Sequence, residues 1–515
     1  MRNKGDILLS VLIFAAIAVT ITIGFVNWGA SMLSSIRTLQ TREQALQIAE
    51  AGIDYYRWHL AQSPTDYTDG TTTPAPYYHN FYDKNNNLIG AFSLTITPPP
   101  NGSTKVIITS TGTTTANPTL ARKIQAILAE PSLAQYAVVA NNYMRFGSGT
   151  VVNGPVASNR GIHFDGVANN IVSSAVSTDT DPDYDTGQSL ATNIANGNCT
   201  QVSYGVHTCV TTADPTPPTP IHFPPNDHST DVFLAGRQFP VPAFPFSGLS
   251  VNLNNLHTIA DNNVNGGACT TANGPCWKNV SSAGYYGYYI HLNTNNTYDI
   301  YKVTNLMSAP NGCTTDNSVQ WDTWSYTSLS PKIGTYVIPT AGVIFVEDNL
   351  WIDGTNVGQS TSTRVTIAAA ATIGQSDPTK YSAITINNNL TYAVHDGSSV
   401  IGLIAQGNIN VGLMSPDSLQ IDSALVAELG RVGRYYYSNS CQSSYARTSL
   451  TLNGMIATDF RYGFAYTGSN PGCSNVSSGY CTRTINYDSN LYYSPPPNFP
   501  LASTQYQTVS WKQIQ

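Results

Sequence analysis

Apolar positions are arranged in three ways along this chain, and each predicts a different element. From Ile7 to Val26 they run almost without interruption, broken only by Ser10, Thr20, Thr22 and Gly24, and no charged residue stands between Asp6 and Arg37. A helix of that length crosses a bilayer core of about 30 Å, so residues 7–27 read as a transmembrane span. The stretch is longer than the apolar core of a cleaved signal peptide, and no small-x-small site ends it in a turn-prone context. Arg2 and Lys4 precede it with no comparable cluster directly after, which predicts a cytoplasmic N-terminus and an exterior location for the bulk of the chain. Beyond the span, Met32, Leu33, Ile36, Leu39, Leu46, Ala49 and Ile53 keep helical spacing, so the helix is expected to leave the membrane and continue to Ser63-Pro64.

The second arrangement is strict alternation. After a Thr/Pro-rich loop at 65–76, Leu88 to Pro98 places Phe92, Leu94 and Ile96 between Ser93 and Thr95, the period of a half-buried strand. The turn PPPNGS and the following TKVIITSTG predict a hairpin. Leu120 to Glu130 reads as a short helix or, better in this position, a third strand. Residues 1–130 are therefore expected to form one α+β module in which the outer half of the helix covers a small antiparallel sheet, each burying the apolar face of the other.

The third arrangement is repetition. Val138 to Gly147 (VVANNYMRFG) aligns without a gap to Leu403 to Gly412 (LIAQGNINVG), and Gly342 to Ile352 matches with one insertion. A second unit recurs at Val152 to Ser158, Ile352 to Gly358, Ile421 to Ala427 and Leu452 to Thr458: an apolar residue, Asn or Asp, then Gly or Ser, then further apolar positions. A tight corner followed by a strand, repeated so that Asn side chains stack, predicts a right-handed parallel β-helix-like solenoid over 134–177 and 336–515. A β-sandwich is the alternative. Residues 178–335 read as an insertion with proline-rich linkers and a hairpin turning at Asn295-Asn296. The fold class expected is mainly β, with the N-terminal α+β module ahead of the solenoid.

The helix carries the most specific local motif. A short basic leader ending in Gly5, a long apolar helix and an A-x-x-x-A-E-A-G stretch (Ala45, Ala49, Glu50, Ala51, Gly52) resemble the N-terminus of PilX-type minor pilins of type IV pili. The resemblance covers about the first 60 residues. It implies processing between Gly5 and Asp6, and as partners the membrane, other pilins and the pilus assembly machinery. Asp6 stands where pilins usually carry Phe or Met. Ser10 stands where most major pilins carry a glutamate that balances the new amine of a neighbouring subunit, so the resemblance points to a minor rather than a polymerising subunit. The region after the module resembles bacterial surface proteins with pilin-like leaders.

Composition adds to this reading. Charged residues make up 10% of the chain, against roughly 25% in an average soluble domain, so hydroxyls and amides must solvate the surface. The net charge of -7 offers no basic footprint, and no nucleic-acid partner is expected. Eight cysteines suggest loop disulfides in an oxidising exterior: Cys199 with Cys209, Cys269 with Cys276 and Cys473 with Cys481, leaving Cys313 and Cys441 able to pair.

Motifs for a serine nucleophile, a zinc protease or a phosphate loop are absent from the sequence, and no enzyme is expected. The alternatives are an anchored β-helix enzyme acting on surface polysaccharide, with Asp353, Asp422 and Asp459 near the repeat turns, or a permanently anchored scaffold. Asp179, Asp181, Asp183 and Asp185 alternate in a loop and form a candidate calcium site, the one cofactor considered, although they do not follow the EF-hand pattern. Tyrosines in Gly284 to Tyr289 and Tyr435 to Tyr437 can stack on a surface glycan, dock on a host or abiotic surface, or simply cover the solenoid. The function expected is structural and adhesive, at the cell surface or in a pilus.

Overall fold

A computed structural model describes residues 4–99, 103–196, 198, 201–209, 221–222, 231–246, 249–262, 268–313, 323–371, 377–473, 476–501 and 505–514. The chain divides into two compact units, one of residues 1–99, 105–129 and 504–515 and the other of residues 100–104 and 130–503. The fold is mainly β, with one long apolar helix at its N-terminus and large open sheets.

In the first unit, helix α1 (Lys4–Gln62) runs unbroken for 59 residues, roughly 90 Å at 1.5 Å per residue. It ends one residue before Ser63-Pro64, as the proline dictates. Its window from Ile7 is apolar and unburied, long enough to cross a membrane. Gly5 and Asp6 fall within its first turns. In the outer half, Ala45, Ile48, Ala49, Ile53, Tyr56 and Leu60 are buried on one face. That face lies on an antiparallel sheet of β1 (Tyr77–Tyr82), β2 (Leu88–Thr97), β3 (Val106–Thr114) and β4 (Arg122–Ala129).

The A-x-x-x-A-E-A-G stretch now has a physical cause. A Cβ on Gly112 of β3 would stand 2.2 Å from the Ala45 carbonyl oxygen and 2.5 Å from the Ala49 nitrogen, and one on Gly52 would stand 2.4 Å from Ser110 Oγ. Helix and strand therefore touch backbone to backbone, which only small residues allow. Around this seam the alternating Phe92, Leu94, Ile96, Val106, Ile108, Ile124, Ala126 and Leu128 close a single core.

Two features of this unit differ from the sequence reading. Tyr77–Tyr82, left outside any element, is an edge strand whose register puts Tyr77 opposite Leu94. The C-terminal strand Gln507–Ile514, assigned from sequence to the solenoid region, pairs antiparallel with β4, with Trp511 opposite Ala126. Because β4 is otherwise an open edge, the returning chain pairs its free N–H and C=O groups. The second unit is thus inserted in the chain between the fourth and fifth strands of the first sheet.

The second unit is built from short parallel strands stacked in register. Ile367, Leu403, Leu425, Ile456, Val138, Val156 and Val172 form one column through six successive pairings. All seven are buried in one continuous core. The alternate column, Phe345, Ala368, Ile404, Val426, Ala457, Val139 and Ala157, faces the other way and is covered by Leu253, Leu256 and Ala260 of helix Leu249–Asp261 together with Leu133, Leu491 and Phe499. Burial on both faces explains why strands such as Val400–Ala405 are apolar throughout. The two sequence blocks that align, Val138 to Gly147 and Leu403 to Gly412, occupy equivalent places in these columns.

The recurring Asn/Asp positions also fall in register. Asn453 donates to Asp422 (2.7 Å), Asn486 to Asn453 (2.8 Å), Asn153 to Asn486 (2.7 Å) and Asn169 to Asn153, a ladder of side-chain hydrogen bonds across successive parallel strands. Of the four units read from sequence, that at Ile352 to Gly358 stands out of register: Gly354, not Ile352, meets Leu390, which pairs in turn with Ile421.

Residues 276–306, read as part of an insertion, belong to the same ladders. Cys276–Trp277 pairs parallel with Phe345-Val346, and Tyr288–Leu292 with Leu350 to Asp353. The hairpin of Tyr288–Leu292 and Thr297–Leu306 turns at Asn295-Asn296 as expected, with Asn296 at a φ of 60°. Its apolar positions Tyr288, Ile290 and Leu292 match those of the strand beside it, so it extends the core. The proline run at 213–225 lies mostly outside the described residues.

Candidate functional site

The chemistry of the second unit concentrates where alternation places basic residues outside the apolar column. Strands Met144–Phe146, Ile162–Phe164 and Val206–His207 pair in parallel so that Arg145 meets His163 and His163 meets His207. Their neighbours Met144, Phe146, Ile162, Phe164 and Val206 fill the core, which turns the three basic side chains to the opposite face. The segment carrying Asp179 to Asp185 supplies the counter-charges there.

Asp181 is completely buried, with Oδ2 3.0 Å from His163 Nδ1 and 3.7 Å from His207 Nε2. His163 Nε2 also stands 2.8 Å from Asp165 Oδ2, a close ionic contact bent away from hydrogen-bond alignment. Carboxylates against both ring nitrogens favour the imidazolium form of His163. Burial opposes that charge, but Asp165 and Asp181 outweigh it and hold the pKa above the usual histidine value. His207 differs: burial holds it below the usual value, and Nδ1 donates to the Tyr204 carbonyl at 3.2 Å. Burial by itself would raise Asp181, yet the hydrogen bonds from the two histidines hold it well below the usual carboxylate range.

The remaining aspartates have separate partners. Asp179 accepts from Arg160 Nε (3.0 Å) and Nη2 (2.8 Å) and from Gly161 N (2.7 Å). Asp183 accepts from Arg145 Nη1 at 3.0 Å and, through both oxygens, from Arg461 at 2.7 and 2.6 Å. Asp185 caps a turn at Gly187 N and Gln188 Nε2, each at 2.8 Å. A calcium site needs its oxygens converged and free of cations. Three of these four carboxylates are already paired with Arg or His, so the calcium expectation is corrected to an ion-pair network. The residues missed from sequence, Arg145, His163 and His207, carried a signal in the triplets MRF and IHF and the pair VH, each placing a base beside core positions.

Two further groups bring metal-type donors together, His163, His207 and Cys209, and His257, Cys269 and Cys276. In both, the cysteines are in disulfides, and a disulfide sulfur is not the thiolate a metal requires. Cys269–Cys276 and Cys313–Cys441 are bonded as expected. Cys209 is also bonded, while Cys199 lies outside the described residues.

Cys473 and Cys481, by contrast, are free thiols, which corrects their expected pairing. Cys473 is held in a turn by paired backbone bonds with Asn470, and Cys481 lies within strand Val476–Tyr487. Burial, then the neighbouring Cys473, pushes the Cys481 thiol up to about 12. Alkylation at pH 8 with peptide mapping is expected to label Cys481 much more slowly than an ordinary thiol of pKa about 8.5.

The three repeat-turn aspartates do not share a site. Asp422 and Asp459 accept from Asn453 (2.7 Å) and Asn141 (2.8 Å). Asp353 accepts from Tyr289 Oη at 2.7 Å and lies 2.6 Å from His291 Nδ1, beside a cavity of about 200 Å³ bordered by Tyr326 and Trp351. Among the tyrosines, Tyr288 and Tyr437 are fully buried and Tyr435 stacks on Trp324 at 5.9 Å, so these three rings serve packing.

No protein-family model matches the chain, and no curated protein does. Among solved structures, the competence-associated pilin ComZ from Thermus thermophilus matches at 15% identity over 92% of this chain and 97% of its own, with a TM-score of 0.29, too low to establish a shared fold.

Proposed function

We propose that this chain is a pilin-like surface protein of the minor, type IV pilus-associated kind, held by its N-terminal helix and presenting a parallel β-helix as a structural and adhesive head. The observation that carries this is the backbone-close seam of Ala45, Ala49 and Gly52 on Gly112 and Ser110. It makes the outer half of an apolar helix the spine of a small antiparallel sheet, while the inner half stays unburied and able to enter a bilayer or a helical bundle. The β-helical reading is supported by the in-register parallel columns and the ladder of side-chain hydrogen bonds. Ser10 in place of an acidic residue favours a minor subunit, because a fibre body needs a carboxylate to balance each buried amine.

In this role the N-terminus is cytoplasmic before export, the partners are other pilins and their assembly machinery, and the bulk of the chain is outside the cell. Mass spectrometry of the protein recovered from membranes and sheared surface fibres of its own host tests the proposal. A mature chain beginning at Asp6 is expected. An intact Met1-Arg2 start in both fractions overturns it in favour of a permanently anchored scaffold.

A further inference from the structure

Next to the His163 network lies a cavity of about 510 Å³, within the range of small-ligand sites. Among the described residues its lining holds four guanidinium groups, Arg145, Arg431, Arg461 and Arg483, against one carboxylate, Asp183. That is four of the chain's 23 basic residues in a protein whose net charge is -7, so the local field opposes the global one. Field of one sign focused in a recess raises the local concentration of the opposite ion.

We propose that this cavity binds the carboxylate of an acidic sugar, and so names a ligand class for the adhesive head; the biological setting, though not the binding, rests on the function proposed above. The donors are held in place before any ligand arrives. Arg483 is almost fully buried and bonds the carbonyls of Gly147 (3.1 Å), Ser148 (2.7 Å), Tyr480 (2.8 Å) and Cys481 (2.8 Å). Burial lowers its pKa and no carboxylate offsets this, the mark of positive charge that lacks compensation.

Spare donors lie on two other arginines. Of a guanidinium's five N–H donors, Arg461 commits two, both to Asp183. Arg431 commits three, to Tyr466 Oη, Arg434 O and Gly463 O, and its Nε has no partner. The planar fork of a guanidinium matches a carboxylate with two parallel bonds. A bare ion does not fill a recess of this size. Phe460, 50% exposed, adds an apolar ring on which the C–H face of a pyranose can lie, and Tyr466 adds a hydroxyl.

The test is calorimetric titration of the full chain in detergent with trigalacturonic acid, its fully methyl-esterified form and sodium sulfate. Binding of the free acid is expected to exceed that of the ester by roughly tenfold or more, the value of a charge-assisted hydrogen bond lost. Arg461→Gln is expected to reduce it by a similar factor, and Phe460→Ala, a change at an exposed ring that leaves folding intact, by several-fold. Absence of binding by the free acid, equal binding of acid and ester, sulfate binding as tightly as the sugar, or indifference to both substitutions overturns the proposal. None of these outcomes bears on whether the mature chain begins at Asp6, so the cavity can fail while the pilin-like function stands.

Discussion

Replacing His163 with leucine is expected to cost the second unit about 3–5 kcal/mol, the usual penalty for removing one partner of a buried ion pair. His163 and Asp181 are both completely enclosed, and Asp165 is nearly so. Without the imidazolium, Asp181 faces a largely neutral His207, and its charge is no longer compensated. The double substitution His163→Leu with Asp181→Asn removes both charges and is expected to recover a substantial part of the loss; urea unfolding followed by tryptophan fluorescence reads both. Equal losses in single and double variants would mean that shape, not charge, sets the cost.

The same network predicts how this unit responds to pH. Asp165, Asp181 and Asp183 are held below the usual carboxylate range, so their contribution is complete above about pH 4 and is lost as the pH falls through their lower folded values. His163 is held above its usual value, so its contribution is complete below about pH 6.5 and is lost as the pH rises through its folded pKa. His207 is held down, and its contribution declines as the pH falls below about 6.5. Stability from the network is therefore expected to peak near neutrality on the acid side, and the alkaline limb should flatten in His163→Leu.

Gly112→Val is expected to separate α1 from its sheet, at a cost of about 3 kcal/mol or more. Overpacking a core commonly costs about 1–3 kcal/mol when side chains can move aside. Here the added Cβ meets the Ala45 carbonyl oxygen and the Ala49 nitrogen, backbone atoms that cannot rotate away, so the helix itself must lift. Proteolysis within residues 40–62 should then become rapid, where the native helix is protected by Ile48, Tyr56 and Leu60. The matched control is Gly29→Ala, which has nothing within 4 Å of the new Cβ. It is expected to be neutral or slightly stabilising by helix propensity. Equal protease resistance in Gly112→Val and the native chain would exclude a close seam at that site.

Local pattern was sufficient wherever one face of an element is buried by its neighbours in the chain. The apolar run of Ile7 to Val26, the alternating Phe92, Leu94 and Ile96, and the repeated apolar strands at Val138 and Leu403 could all be read from residue spacing, whereas Ala45, Ala49 and Gly52 were marked by the resemblance they carry. Each reports its own environment through period and size alone. Val138 and Leu403 carry the same signature because they occupy the same column.

What the sequence by itself determined is thus the long apolar helix, its continuation as a packed helix, the hairpin after it and the repeated apolar strands. Only the tertiary structure decided which distant segments meet. Gln507–Ile514 returns to β4 across the whole second unit; Tyr288–Leu292 joins Leu350 to Asp353; Asp183 lies between Arg145 and Arg461 instead of on a cation; and the cavity collects arginines from four separate stretches of chain. Periodicity records whether a face is buried but not by what, and a charge is assigned its partner only when the chain has closed around it.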